Sequence, residues 1–307
     1  MKIYNQDIRD IFFENYKKNF FKNNKNYILT NDADVFALKS LKNNKRYIDA
    51  GVAEQNLVNI ASGLAKNNKL PMIFGFCTFL TFRCYEQLKF NIGSHNQNIK
   101  IVGIGPGYSF SYDGPTHHGL QDICLMNLIP EFEVINISDN NLSYVVSKSL
   151  NKLKGPIYIR LDKGKQNFNL GVKYDLNKGY EFTKKNKTSK LVIITSGYTN
   201  KIANETYDKL NKFDVLNLYK LKYFDKKKLL KDLRKYKNVI IYDESSYLGG
   251  ISPIINSFIL KNKLSLKINY LTSPDKQIFL YSRNRDQLMN KLKIGKDDLR
   301  KLILKLL

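Results

Sequence analysis

The chain has 307 residues, of which 43% are hydrophobic and 25% charged, a composition that excludes wholesale disorder. The formal net charge at pH 7 is +24, but the lysines are spread along the chain without a stripe of interleaved aromatic residues, so we predict no nucleic-acid binding. No apolar stretch approaches the roughly 20 residues that cross a bilayer, no signal peptide is evident and the three cysteines form no CxxC pair, which predicts a reduced, cytoplasmic protein without membrane contact.

Short β-branched runs alternate with helical patterns through the first half of the chain. The predicted strands are 27–29, 47–48, 72–76, 99–102, 134–137 and 157–160. The predicted helices are 53–66, 79–93, 120–128 and 141–154. Alternation of this kind predicts a parallel sheet that is covered by helices on both faces.

A polar, glycine-containing stretch from 162 to 189 interrupts this alternation, which then restarts. The later predicted strands are 191–195, 215–218, 239–242 and 268–270, the last being either a parallel or an edge strand. The later predicted helices are 200–211, 226–236, 250–261 and the tail 294–307. We therefore predict an α/β protein with two parallel-sheet domains, 1–170 and 190–307, joined by a linker at 171–189.

Two short motifs in the first half carry candidate functional side chains. The sequence GVAEQN places Glu54 where a predicted strand ends and a helix begins, at the sheet edge where α/β proteins bind ligands. An acid in the first turn of a helix also arises from helix capping, and position alone favours that interpretation. Phe79, Phe82 and Tyr85 follow at a spacing of three, which by itself favours a core stripe on one helix face.

A third motif, DGPTHHG, begins at Asp113 and contains two of the three histidines of the chain, His117 and His118. It precedes a predicted helix, and no Cys or His stands at ligand spacing from it, so a zinc site is not expected. A loop histidine beside an aspartate can serve as a general acid or base near neutral pH. A histidine that only stabilises the turn is an equally good interpretation of this motif alone.

Three sequences, taken in order, resemble the C-terminal half of the transketolase family, which includes the 1-deoxyxylulose-5-phosphate synthases. They are GVAEQNLVNIASGLA, TFLTFRCYEQ and YDGPTHHGLQDICLMNLIP. The resemblance covers 27–165 with specific motifs and extends more weakly over 190–260, where VIIYDESSYLGG is similar to the last domain of the family. It implies a pyrimidine-binding domain followed by a transketolase C-terminal domain, and thiamine diphosphate chemistry at a subunit interface.

The resemblance implies roles for residues at the cofactor. Glu54 would hydrogen-bond a ring nitrogen of the cofactor's pyrimidine and favour the imino tautomer that removes the thiazolium proton, which makes it a catalytic residue. The aromatic wall against which the pyrimidine stacks would consist of Phe79, Phe82 and Tyr85. Asp32 would lie at the end of a strand beside the pyrimidine, although its match to the family is looser.

The resemblance also implies substrate contacts. Asp113 would contact a sugar hydroxyl next to the carbonyl, and His117 would be a second catalytic residue that stabilises an oxyanion or carries protons. Arg83 would meet the substrate phosphate, as in the deoxyxylulose-phosphate synthases. Arg160 and Lys163 lie where the family places a second anion ligand. For each of these cations, a surface salt bridge is the alternative.

One part of the family pattern is missing. The GDG motif that binds diphosphate and metal does not occur in the sequence, and about 26 residues precede the first predicted strand, too few for a further domain. The resemblance therefore implies half of an enzyme with no metal site of its own. We expect a separate N-terminal subunit that holds the diphosphate together with Mg²⁺ or another divalent cation, in an α2β2 heterotetramer.

Three functions follow as hypotheses. The first is the C-terminal subunit of a split transketolase, a transferase of carbohydrate metabolism that moves a two-carbon ketol unit between phosphorylated or nucleotide-linked sugars. The second is a deoxyxylulose-phosphate-synthase-like enzyme that decarboxylates pyruvate, although full synthases carry both halves in one chain. The third is a degenerate, non-catalytic subunit, which the retained Glu54, aromatic residues and His117 disfavour.

Overall fold

Residues 6–169 and 171–307 are described by the computed structural model, and they form two α/β domains, each with its own sheet. The strands of the first domain are β1 (Asn26–Thr30), β2 (Tyr47–Asp49), β3 (Leu70–Phe76), β4 (Lys100–Ile104), β5 (Glu133–Asn136) and β6 (Ile157–Leu161). All of them pair in parallel, in the spatial order β2-β1-β3-β4-β6-β5. The predicted strands of this sheet are confirmed, with ends that differ by one or two residues.

The helices of the first domain are α1 (Ile8–Lys22), α2 (Glu54–Lys66), α3 (Tyr85–Gln87), α4 (Asp122–Asn127) and α5 (Asn140–Ser149). Helix α1 was not predicted. It begins after Asp7, whose carboxylate accepts from the backbone N–H of Arg9, and it buries phenylalanine side chains against the sheet. The predicted helix at 79–93 is irregular, because α3 is flanked by π-helical turns at Phe79–Arg83 and Leu88–Gly93.

The second domain has a mixed sheet. Its strands are β7 (Tyr180–Lys184), β8 (Leu191–Thr195), β9 (Asp214–Leu218), β10 (Asn238–Ser246) and β11 (Lys267–Ser273). The spatial order is β11-β10-β8-β9-β7, and β7 is an antiparallel edge strand beside β9. The expectation of a wholly parallel second sheet is therefore corrected, and part of the 171–189 segment predicted as a linker is strand. The short, charged sequence of β7 is typical of a sheet edge, which is why its pattern does not stand out.

The helices of the second domain are α6 (Tyr198–Leu210), α7 (Lys226–Leu233), α8 (Ser252–Lys261), α9 (Arg285–Lys291) and α10 (Lys296–Leu306). Helices α6, α7, α8 and α10 correspond to predicted helices, whereas α9 was not predicted. In the ranges 6–169 and 171–307, no helix combines the length and the apolar character that a membrane span requires.

A buried polar cluster joins the two domains. Arg285, at the start of α9, forms ion pairs with Asp162, which follows β6, and with Glu244 in β10. The side-chain amide of Asn136 donates to Ser196 Oγ across the same boundary at 2.9 Å. The second domain therefore packs directly against the loops at the carboxyl ends of the first sheet.

Candidate active site

Most of the residues singled out by the sequence follow the carboxyl ends of strands in the first sheet. Each loop that follows β1, β2, β3, β4 and β6 carries at least one of them. In chain order they are Asp32, Glu54, Phe79, Phe82, Arg83, Tyr85, Asp113, His117 and Lys163. Because parallel strands end at one edge of a sheet, these loops share one face of the molecule.

Glu54 is the first residue of α2, and its side chain is only 4% exposed. The carboxylate does not cap the helix. Its Oε1 atom instead accepts from Asn31 Nδ2 at 3.0 Å and from Arg83 Nη1 at 2.9 Å. A pocket of about 400 Å³ lies beside it, lined by residues 52–56 and by Arg83. A largely buried carboxylate at the edge of a cavity fits a functional role better than the capping interpretation.

Arg83 lies between Glu54 and solvent. Half of its side chain is exposed, and its guanidinium carbon lies 4.2 Å from the ring centroid of Phe79. Its backbone carbonyl accepts from Gln55 Nε2 at 3.0 Å, which ties the π-helical segment to α2. The guanidinium is therefore fixed on one side by a carboxylate and an aromatic ring, and is open to an anion on the other.

The three predicted aromatic residues do not form one continuous wall. The ring of Phe79 lies 5.0 Å from that of His117, and Phe76, which was not predicted, lies 5.3 Å from the same histidine. Phe82 is 43% exposed, whereas Tyr85 is partly buried against the hydrophobic core. The wider π-helical turns explain this difference, because a spacing of three no longer aligns side chains on one face.

The DGPTHHG loop is closed at its base by two backbone hydrogen bonds between Gly107 and Gly119. Within it, Asp113 is exposed and His117 is partly buried, with its Nδ1 atom 3.0 Å from Thr116 Oγ1. Gly107 has a positive φ of 60°, and a Cβ atom there would lie 1.8 Å from Oε1 of Glu244. Only glycine allows this approach, so the second domain sets the path of the loop.

His118 differs from its neighbour because it is buried. It is 3% exposed, its ring packs edge-to-face on Tyr108 with centroids 5.0 Å apart, and neither ring nitrogen has a hydrogen-bond partner among the described residues. Burial lowers the pKa of His118 to about 4, an effect that His117 strengthens and Asp113 opposes. The two adjacent histidines therefore have different environments, and of the two, only His117 contacts the aromatic residues near Arg83.

This burial predicts a pH-dependent stability. Between the ordinary histidine pKa of 6.5 and about 4, the unfolded chain binds a proton at His118 that the folded chain does not. The free energy of unfolding should therefore fall as the pH falls, by about 2 kcal/mol at this site between pH 7.5 and pH 5. Urea titrations should show a smaller loss for His118→Gln, whereas His95→Gln, at an exposed histidine, should behave like the wild type. An equal loss in all three proteins would contradict the assignment.

Asp32 follows β1 at this edge of the sheet, and its place beside a pyrimidine stays a prediction. It is exposed, has a positive φ of 58°, and its backbone N–H donates to Asp49 Oδ1 at 2.9 Å. The preceding residue, Asn31, is the one that contacts Glu54. The sequence interpretation named Asp32 at this strand end and did not name Asn31.

The two predicted anion ligands at the end of β6 have different surroundings. Arg160 is 2% exposed and donates to both oxygens of Asp122 and to the carbonyl of Gly119. A guanidinium this buried offers no open face to a substrate anion, so we assign Arg160 a structural role in place of the predicted one. Lys163 remains accessible, with its Nζ atom 3.9 Å from the ring centroid of Phe110.

Within 6–169 and 171–307, no group of three His, Cys, Asp or Glu side chains could hold a metal ion. The residues that do gather at the sheet edge are a carboxylate, an amide, a histidine, aromatic rings and two accessible cations. Such a set suits a flat heteroaromatic ring and an anionic substrate.

Two family models match this chain. The model for the transketolase pyrimidine binding domain matches residues 12–167, and the model for the transketolase C-terminal domain matches residues 181–298. The chain belongs to the transketolase family. The family predicted from the three motifs is thereby confirmed, as is the succession of a pyrimidine-binding domain and a C-terminal domain.

Curated members of the transketolase family include subunits of comparable length. The chain is 29% identical over 241 residues to the 6-deoxy-6-sulfo-D-fructose transketolase subunit SqwH of Clostridium sp. (strain MSTE9), covering 73% of this chain and 72% of that protein. It is 26% identical over 242 residues to an apulose-4-phosphate transketolase subunit of Phocaeicola vulgatus, covering 76% and 75%. The 1-deoxy-D-xylulose-5-phosphate synthase of Francisella philomiragia is 27% identical over 265 residues, which are 85% of this chain but 42% of the synthase.

Solved structures agree with this fold. A chain described as a split gene transketolase, inactive beta4 tetramer, superimposes with a TM-score of 0.81 and 21% identity over 98% of both chains. The transketolase of Campylobacter jejuni superimposes with a TM-score of 0.81 and 17% identity, over 99% of this chain and 48% of that one.

Proposed function

We propose that this chain is the C-terminal subunit of a split, thiamine diphosphate-dependent transketolase. The observation that carries the proposal is the Glu54 carboxylate, which is nearly buried yet borders an open pocket. Relatives described as transketolase subunits match the chain over most of their own length, which supports a two-subunit enzyme. The partner would be an N-terminal subunit that holds the diphosphate and a divalent cation, in an α2β2 complex.

The residues beside the pocket fit the pyrimidine of the cofactor. Oε2 of Glu54 has no hydrogen bond among the residues that the structure describes, so it is available to a ring N–H. Phe79 and Phe82, the latter 43% exposed and next to Arg83 in the chain, offer aromatic surface for a flat ring. When bound, thiamine diphosphate supplies the nucleophilic carbon that accepts the two-carbon unit.

The remaining residues would act on the substrate. His117 would move a proton at the substrate oxygen, and its imidazole lies beside the ring of Phe79. Glu54 would share a proton with the pyrimidine ring of the cofactor. Asp113 is exposed on the same loop and would accept from a sugar hydroxyl. Arg83 and Lys163 would bind the anionic end of a sugar phosphate or nucleotide-linked sugar.

Pyruvate decarboxylation is the second candidate. The pair of Arg83 and Tyr85 and the DGPTHHG loop resemble the deoxyxylulose-phosphate synthases, and one such synthase matches 85% of this chain. We favour ketol transfer because the chain spans only 42% of that synthase, whereas it spans 72% of a transketolase subunit.

The decisive experiment is reconstitution with a partner. We expect a neighbouring reading frame to encode a GDG-containing partner. The chain should be co-expressed with that partner and assayed with ketoses, aldoses and pyruvate, with thiamine diphosphate and Mg²⁺ present. We expect ketol transfer by the pair and none by the chain alone. Turnover of pyruvate without ketol transfer would favour the second candidate. If the pair binds the cofactor but is inactive, the chain would be a non-catalytic subunit.

At saturating thiamine diphosphate, Arg83→Ala is expected to raise the KM for phosphorylated substrates by about 10-fold or more, with little change for unphosphorylated ones, because one charge-assisted hydrogen bond to the anion is lost. Saturation is required because Arg83 also donates to Glu54. Steady-state kinetics with matched phosphorylated and unphosphorylated sugars measures this. Lys89→Ala, at an exposed lysine of the same segment, is the matched control and should leave both KM values unchanged. Equal losses on both substrate types would refute a phosphate contact.

A further inference from the structure

Asn31 is the residue beside Glu54 that no sequence motif indicated. It follows β1 directly and is 6% exposed. Its Nδ2 atom donates to Glu54 Oε1 at 3.0 Å, and Arg83 Nη1 donates to the same oxygen at 2.9 Å. Both protein donors therefore use one carboxylate oxygen, and Oε2 has none in the ranges 6–169 and 171–307.

The amide of Asn31 is held in one orientation at an energetic cost. Its Oδ1 atom is buried without a hydrogen-bond partner among the described residues. A Cβ atom on Gly75 of β3 would lie 2.2 Å from this oxygen, so the backbone of the neighbouring strand confines the amide. A buried carbonyl without a partner is unfavourable, and a residue that only filled this space would be apolar. The N–H group directed at Glu54 is the feature of Asn31 that offsets this cost.

We propose that Asn31 is a positioning residue, which fixes the Glu54 carboxylate through Oε1 and so presents Oε2 to the pyrimidine ring of the cofactor. Arg83 is the second donor to Oε1, but it is half exposed and can also face a substrate anion. Asn31 is buried, so it holds the carboxylate whether or not substrate is present. This inference rests on the proposed function, because it takes the ring to be that of thiamine diphosphate.

The test measures cofactor affinity and does not require turnover. Thiamine diphosphate is titrated by calorimetry into the assembled two-subunit complex, with Mg²⁺ present. We expect Asn31→Ala to weaken binding about 10-fold, as for the loss of one hydrogen bond to a charged group. Asn31→Asp should weaken it further, because a second carboxylate would then face Glu54. Asn31→Ser retains a shorter hydrogen-bond donor, so its affinity for thiamine diphosphate should lie between those of the alanine variant and the wild type.

Asn26 provides a matched control at the opposite end of β1. Like Asn31 it is buried. Its Nδ2 atom donates to the Asn19 carbonyl at 2.8 Å, and its Oδ1 atom has no hydrogen-bond partner among the described residues. Asn26→Ala therefore removes the same groups far from Glu54, and it should lower the melting temperature without changing cofactor affinity. Affinities of the Asn31 variants equal to that of Asn26→Ala would overturn the positioning role.

The outcomes separate this inference from the proposed function. A wild-type complex that binds no thiamine diphosphate would remove both. A wild-type complex that binds the cofactor, together with Asn31→Ala and Asn31→Ser complexes of unchanged affinity, would remove the role of Asn31 and leave the proposed function standing. If the alanine variant does not assemble, the serine variant alone decides between these outcomes.

Discussion

Replacing Glu54 by glutamine is expected to reduce turnover of the reconstituted complex by about 10²- to 10⁴-fold, the range typical of a lost acid–base group. Glutamine fills the same space, and its carbonyl oxygen can still accept from Asn31 and Arg83. The amide cannot share a proton with the ring as a carboxylate does, so the chemical step should fail while the subunits assemble. Steady-state kinetics and light scattering of the same samples measure both quantities.

The matched control for this variant is Glu86→Gln. Glu86 is an exposed acid in α3, on the segment that carries Arg83, and it should tolerate the change with full activity. Glu54→Ala should lose at least as much activity as the glutamine variant. Turnover within a few fold of wild type in either Glu54 variant would remove this carboxylate from its proposed role.

The second large effect concerns the buried cluster between the domains. Arg285→Met should destabilise the protein by about 3–5 kcal/mol, because it leaves two carboxylates buried without their cation. These are Asp162 and Glu244, which both pair with Arg285, and the same guanidinium donates to the Pro106 carbonyl at 3.2 Å. Arg283→Met, at an exposed arginine of the same segment, should change the stability by no more than about 0.5 kcal/mol.

The stability of the Arg285→Met variant should also depend on pH in a defined direction. Burial raises the pKa of Glu244, and Arg285 opposes this rise in the wild type. Without the arginine, the folded protein should bind a proton at Glu244 more tightly than the unfolded chain, so the loss of stability should grow as the pH rises above the ordinary glutamate range. Urea unfolding at pH 5 and pH 8 tests this, and a deficit that shrinks with rising pH would contradict it.

Much of the fold was predictable because the local hydrophobic patterns of the sequence agree with the burial of the residues in the folded protein. Apart from the short edge strand β2, the strands of the first sheet are largely buried and therefore appear as apolar runs. Three elements, α1, β7 and α9, were missed, and for two of them the reason can be given. β7 is a charged edge strand, and α1 has apolar residues at helical spacing within a stretch rich in lysine and asparagine. The π-helical turns beside α3 could not be predicted from side-chain spacing, because the spacing rule applies to α-helices.

The site was only partly predictable, because several of its contacts join residues far apart in the chain. The motifs indicated Glu54, Arg83 and His117, since each lies in a recognisable sequence. They could not indicate that Arg160 pairs with Asp122, because no local pattern shows which buried acid a strand residue meets. Asn31 had one available signal, its place at a strand end beside the sheet edge that also holds Glu54.

A side chain of the second domain sets the path of the loop that carries His117. Gly107, at the base of this loop, is in close contact with Glu244, and Glu244 forms an ion pair with Arg285. The second domain therefore supports the loop that carries His117, on the side of the first sheet where we propose that the substrate binds. Transferring the first domain alone to a foreign scaffold would carry over the Glu54 carboxylate proposed to contact the cofactor, but not the contact that sets the path of the His117 loop.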